Sequence, residues 1–105
     1  MAIQLRGYQN RYLRGLAHSL KPVILIGQKG ISPATIESIS GALADHELIK
    51  VKFIDLEDRA RKKNLIGQIE ESCDCSVAGV TGHVAILYRP QDNPAKRKIT
   101  LPERG

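Results

Sequence analysis

The 105-residue chain has no tryptophan, one phenylalanine and three tyrosines. That is too few rings for a stacking platform in which exposed aromatics on strands grip bases. Its two cysteines, Cys73 and Cys75, stand one residue apart. They are too few for a disulfide-stapled scaffold and too close to bridge each other comfortably. With only His18, His46 and His83 elsewhere they match no zinc spacing, so structural thiols and no metal site are expected. No apolar run approaches the ~20 residues that span a bilayer. The first 20 residues mix Arg with Leu and Tyr instead of forming a secretory apolar stretch. There is no P-loop, no G-x-G-x-x-G, no H-E-x-x-H and no nucleophile elbow. The expectation is one soluble, cytoplasmic, monomeric domain. It should have no catalysis, no cofactor, no small-molecule substrate and no membrane contact.

Acid is also missing from the opening third. Residues 1–36 carry Arg6, Arg11, Arg14, Lys21 and Lys29 with no Asp or Glu, whereas residues 37–88 are net acidic and 89–105 net basic again. The overall charge of +5 is therefore concentrated at the two ends. A localised basic footprint of this kind fits an anion, and nucleic acid is the usual one.

Periodicity predicts a helix over 4–20. Leu5, Tyr8, Tyr12, Leu16 and Leu20 fall on one face with Leu13 at its flank, and Arg11, Arg14, His18 and Lys21 fall opposite. Pro22 ends it. Val23 to Ile26 reads as a short strand buried on both faces. After Gly27-Gln28-Lys29-Gly30, Ser32 is an N-cap with Pro33 at the first helical position, and Ile31 and Ile36 form a hydrophobic staple. That helix runs to about His46. Leu48 to Ile54 alternates as a half-buried strand, with Ile49, Val51 and Phe53 inward and Lys50 and Lys52 outward. A third helix covers 57–74. Val77–Val80 and Val84–Tyr88 form a hairpin around Thr81-Gly82. Residues 91–105 read as a loosely attached, flexible basic tail after a domain over 1–90. The order α-β-α-β-α-β-β predicts an α/β domain with a four-stranded mixed sheet. Each β-α-β step is expected to join parallel neighbours.

Gly27-x-x-Gly30 is the first candidate site. Two glycines permit a sharp bend and close backbone approach, and the loop leads into a helix start that favours phosphate. Lys29 adds a cation at the tip. The acid-free helix face of Arg11, Arg14, His18 and Lys21 is the second. Arg59-Ala60-Arg61-Lys62-Lys63 is partly neutralised by Glu57 and Asp58. Lys96-Arg97-Lys98 lies in the tail. Tyr8, Tyr12 and Phe53 are assigned to the core, so recognition would be of backbone and shape.

The passage from the strand through Gly27-Gln28-Lys29-Gly30-Ile31 into a helix, and the closing Val84-Ala85-Ile86-Leu87-Tyr88-Arg89, resemble the CRM (chloroplast RNA splicing and ribosome maturation) domain. The stand-alone bacterial form, the YhbY family, is the nearest match, over about residues 2–90. The resemblance implies a fold similar to the C-terminal domain of translation initiation factor three. It also implies contact with ribosomal RNA in precursors of the large ribosomal subunit, with RNA held at Gly27, Gln28, Lys29 and Gly30. Arg11, Arg14, His18 and Lys21 would extend that contact, with Arg89 assisting at the end of the last strand. The alternative is a protein-interaction module docking on an acidic partner, such as a ribosomal protein or assembly GTPase.

Overall fold

The two longer helices begin where their capping residues stand. The structure, a computed structural model, describes residues 4–103. Helix α2 (Pro33–His46) starts at Ser32, whose Oγ accepts the Thr35 N–H at 3.2 Å. Helix α3 (Arg59–Cys73) starts at Asp58, whose carboxylate accepts the N–H groups of Ala60 and Arg61 at 3.0 and 3.2 Å. Each cap satisfies donors that a helix start leaves open. The remaining elements are α1 (Gly7–Ala17), β1 (Ile24–Ile26), β2 (Leu48–Phe53), β3 (Ser76–Thr81) and β4 (Val84–Tyr88), in the predicted order.

The sheet is four-stranded and mixed, ordered β1-β2-β4-β3. β1 runs parallel to β2 as expected. β2 and β3 also run in one direction, but they are not neighbours, because β4 lies between them and pairs antiparallel with both. Composition explains the correction. Ala85 to Tyr88 are all buried, Ala85 and Leu87 in one core cluster, Ile86 and Tyr88 in the other. β3 carries Gly79 and an exposed Thr81 and takes the edge.

Helices α2 and α3 cover one face of the sheet, over a core that includes Ile39, Leu43, Val51, Phe53, Ile69 and Leu87. Helix α1 covers the other, with Leu13 and Ala17 against Leu48, Ala78, Ile86 and Tyr88. The expected apolar stripe of α1 is therefore rotated by roughly 80° on a 3.6-residue wheel. Tyr12 and Leu16 are 41% and 39% exposed, not core. The cause lies on β3. A Cβ built on Gly79 would stand 2.6 Å from Arg14 Cδ, so the glycine lets the Arg14 side chain lie flat on the strand. β1 departs from expectation as well. It is an edge strand, and Leu25 is 60% exposed because α1 lies over β2, β4 and β3.

The C-terminal segment is docked, where a loose tail was expected. Glu47, fully buried at the C-terminus of α2, accepts the backbone N–H groups of Gln91, Lys98 and Ile99 at 2.8, 2.5 and 3.0 Å. Ile99 and Leu101 pack against the α1 cluster. The Lys98 ammonium donates to Asp45 O at 2.6 Å, and Arg97 Nε to Gln91 O at 2.8 Å, so two of the three cations in the Lys96-Arg97-Lys98 run bond to the body or the segment itself.

Both cysteines are buried free thiols. Burial, joined by the neighbouring Cys73 and Glu70, pushes Cys75 from 9.0 up to about 12. Burial also raises Cys73, against an opposing pull from Arg89. A thiol held protonated is a poor nucleophile. Because the fold favours the protonated form, this stabilisation is complete below about pH 9 and is lost as pH climbs toward 12. Two results are expected: native protein inert to a thiol reagent at about pH 8 while denatured protein reacts fully, and a urea midpoint that falls above about pH 9. Rapid labelling of the native protein would overturn the assignment.

Candidate functional site

The carboxyl ends of β1 and β2 lie together at one end of the sheet, the position where open α/β sheets place their ligand-binding loops. Ile54 N donates to Ile26 O at 2.7 Å, and Phe53 N donates to His83 O at 2.7 Å. This end thus gathers the loop after β1, the segment after β2 and the β3–β4 hairpin. In the first of these, Gly30 N donates to Gly27 O at 3.0 Å, closing a turn with Gln28 and Lys29 as its exposed tip. Gly30 has φ +79°, a conformation that an L side chain adopts only with strain. The start of α2 offers an anion less than the sequence suggests. Pro33 has no N–H and Ser32 Oγ takes that of Thr35. In the first turn, among the described residues, the Ala34 N–H is left.

Arg61 supplies what the loop lacks. Its guanidinium donates to Gln28 O, and its Nη2 lies 3.4 Å from where a Gly30 Cβ would stand, with Leu65 Cδ2 at 3.6 Å. The amino end of α3 therefore braces the turn and brings a second cation beside Lys29. Lys62 points to the hairpin instead, donating to Gly82 O at 3.3 Å with His83 Nδ1 at 3.2 Å.

On the α1 face, Arg14 and His18 share a hollow of about 330 Å³ with Lys50, Thr81, Val84 and Ile86. Arg14 Nη1 donates to Ala78 O at 3.1 Å. Lys50 Nζ donates to Leu20 O at 3.0 Å and His18 O at 3.5 Å, placing a cation by carbonyls just past the C-terminal end of α1, where the helix dipole favours it. Above this hollow, the register sets Lys52 in a row with Leu25, Val84 and Thr81.

The structure thus groups Gly27, Gln28, Lys29 and Gly30 with Arg61, and Arg14 and His18 with Lys50. Arg11 is exposed on α1. Lys21 lies apart, in a groove with Leu16, Leu20 and His46. Arg89 is elsewhere altogether. It follows β4 at the far end of the sheet, half-buried, donating to Ser40 Oγ (3.1 Å), Ser40 O (2.8 Å) and Cys73 O (2.8 Å). Its guanidinium joins α2 to the end of α3, so an internal clamp replaces the surface contact expected of it.

Lys50 and Arg61 were missing from the sequence-derived site. Both had a signal. Lys50 and Lys52 alternate with buried residues beneath a helix that is itself basic. Arg61 is four residues before Leu65 and eight before Ile69, which puts it on the inward stripe of α3. Among the described residues no group of His, Cys, Asp and Glu suited to a metal is found, and no helix is long and apolar enough to cross a membrane.

The CRS1 / YhbY (CRM) domain model matches residues 5–89. A Haemophilus influenzae protein named an RNA-binding protein is 38% identical over 96 residues, covering 91% of this chain and 93% of its own. A Bacillus subtilis protein named a probable RNA-binding protein is 30% identical over 99 residues, covering 93% and 99%. The solution structure of a Staphylococcus aureus protein matches with a TM-score of 0.76 at 34% identity, covering 94% of this chain and 100% of that one.

Proposed function

Since the chain belongs to the CRS1 / YhbY (CRM) domain family, we propose that it is an RNA-binding protein that grips structured RNA by its backbone at the Gly27–Gly30 end of the sheet. Ribosomal RNA within the precursor of the large subunit is the proposed ligand, the choice that the family resemblance favours. The observation that carries the reading is the Arg61 guanidinium on Gln28 O. It braces the turn from α3 and doubles the cations there. The names of the relatives support the same ligand class.

Lys29 and Arg61 would neutralise phosphates while the glycines let a strand of RNA come close to the backbone. Arg14, His18, Lys50 and Lys52 would continue the contact across the part of the sheet that α1 leaves uncovered, with Arg11 further along α1. Scarce exposed rings make phosphate and shape the main contacts, and such binding weakens steeply with salt.

The test is the affinity for a structured ribosomal RNA fragment across a salt series, for wild type and the Gln28→Asp/Lys29→Asp double variant. Wild type should give a steep negative slope of log K against log salt. The variant should lose about tenfold or more in affinity and about one unit of slope. A flat wild-type slope would remove RNA as the main ligand and leave the acidic protein partner in its place.

A further inference from the structure

A groove of about 520 Å³ runs between α3 and the β3–β4 hairpin, within the range of clefts that take small ligands. Arg59, Lys62, Lys63, Ile66, Gly67 and Val80 line it. The helix residues recur at three- and four-residue steps, so they form one stripe of α3. Val80 is 49% exposed on an edge strand, and its register partner Ala85 is fully buried. An apolar side chain is thus left open beside three cations. A Cβ at Gly67 would meet nothing within 4 Å, which keeps the middle of the groove free.

We infer that this groove receives one unpaired nucleotide of the bound RNA, its base over Ile66 and Val80 and its phosphate against Arg59 and Lys63. The inference rests on the RNA-binding reading above and extends it to a second contact. Charge complementarity selects the occupant. The cations are crowded at the amino end of α3, and the one acid in the lining, Glu70, is at the other end. An acidic peptide would gain nothing from the apolar floor and would meet Glu70. A nucleotide offers an uncharged flat base to that floor and an anion to the rim. The position fits too. Arg61 faces the Gly27–Gly30 loop from the same helix turns whose other flank lines the groove. The two contacts are therefore separated by roughly one helix diameter, about 10 Å, and an RNA strand crossing the start of α3 reaches both.

The experiment uses two RNA hairpins that differ by one bulged nucleotide, with binding to the full chain followed by fluorescence anisotropy. Wild type should prefer the bulged hairpin by about fivefold, the low end of what one base contributes when it stacks on a side chain. Gly67→Gln fills the groove without changing charge and is a better helix former than glycine. It should erase the preference while binding the paired hairpin within about twofold of wild type. Gly67→Ala, which leaves the groove open, should keep it. No preference in wild type, or a preference that survives Gly67→Gln, overturns the inference while leaving the RNA reading intact. Failure of wild type to bind either hairpin with salt-dependent affinity overturns both. Binding of a polyglutamate peptide that Gly67→Gln abolishes, with no preference between hairpins, assigns the groove to a protein partner instead.

Discussion

Arg89→Ala should lower the melting temperature by roughly 10–20 °C and leave the affinity for RNA unchanged. The guanidinium makes three hydrogen bonds, to Ser40 Oγ, Ser40 O and Cys73 O. Bonds from a charged donor contribute about 1.5–3 kcal/mol each, and truncation strands carbonyls in a half-buried site. Partial access of water lowers the total, so about 3 kcal/mol is expected. Cys73 closes α3, and its carbonyl has no partner within the helix. Ser40 lies inside α2. One side chain on the end of β4 thus ties both helices of that layer to the sheet. Arg89→Lys should recover less than half of the loss, because an ammonium cannot span the same acceptors as a planar fork. Thermal melts and an RNA salt series on the same variants decide the matter. A variant that melts like wild type but loses salt slope would return Arg89 to the RNA surface.

That reversal shows where the sequence was legible and where it was not. Helix starts depend on residues a few positions apart, and Ser32-Pro33 marked that of α2 openly. Helix α3, by contrast, begins at Arg59, two residues later than its periodicity suggested, because Asp58 is its N-cap. Strand alternation in Leu48–Phe53 was equally local. The neighbours of β4 were not, because a hairpin reads the same whichever strand its outer edge joins. The rotation of α1 had a similar origin. Leu13, Leu16 and Leu20 spread apolar character around the helix, and a glycine on a strand far along the chain decided which of them is buried. Asp58 misled in another way. Its charge seemed to cancel the Arg59–Lys63 run, yet its carboxylate faces its own helix amides, leaving Arg61 free to reach the loop. Arg89 could not be placed from sequence at all, since its three acceptors come from two other elements.

Glu47→Gln should release the C-terminal segment while the sheet and its helices stay folded. The wild-type carboxylate is fully buried and accepts three backbone N–H groups, from Gln91, Lys98 and Ile99. Glutamine has the same shape, but one oxygen becomes an NH₂ that must face a donor. At least one arm of the clasp therefore turns repulsive. The expected cost is roughly 3 kcal/mol, about what a charge-assisted bond plus a stranded partner represents. Hydrogen exchange reads it directly: the amides of Gln91, Lys98 and Ile99 should lose protection, while those of β2 and β4 keep theirs. Tyr88 gives an independent check. Burial raises its hydroxyl above the ordinary value of 10.0, and the Glu47 charge raises it further. The fold thus favours neutral Tyr88, a contribution present below pH 10 and lost as pH rises past it. Glu47→Gln removes the charge, and departure of Ile99 and Leu101 from the Tyr88 cluster removes part of the burial. These two changes are larger than the loss of the opposing pull of Arg97, which leaves with the same segment. Its tyrosine titration should move back toward 10, and its stability should fall less steeply above that pH than the wild type's. If the three amides stay protected and the titration does not move, the clasp is made by Ile99 and Leu101 packing, and the carboxylate only accompanies it.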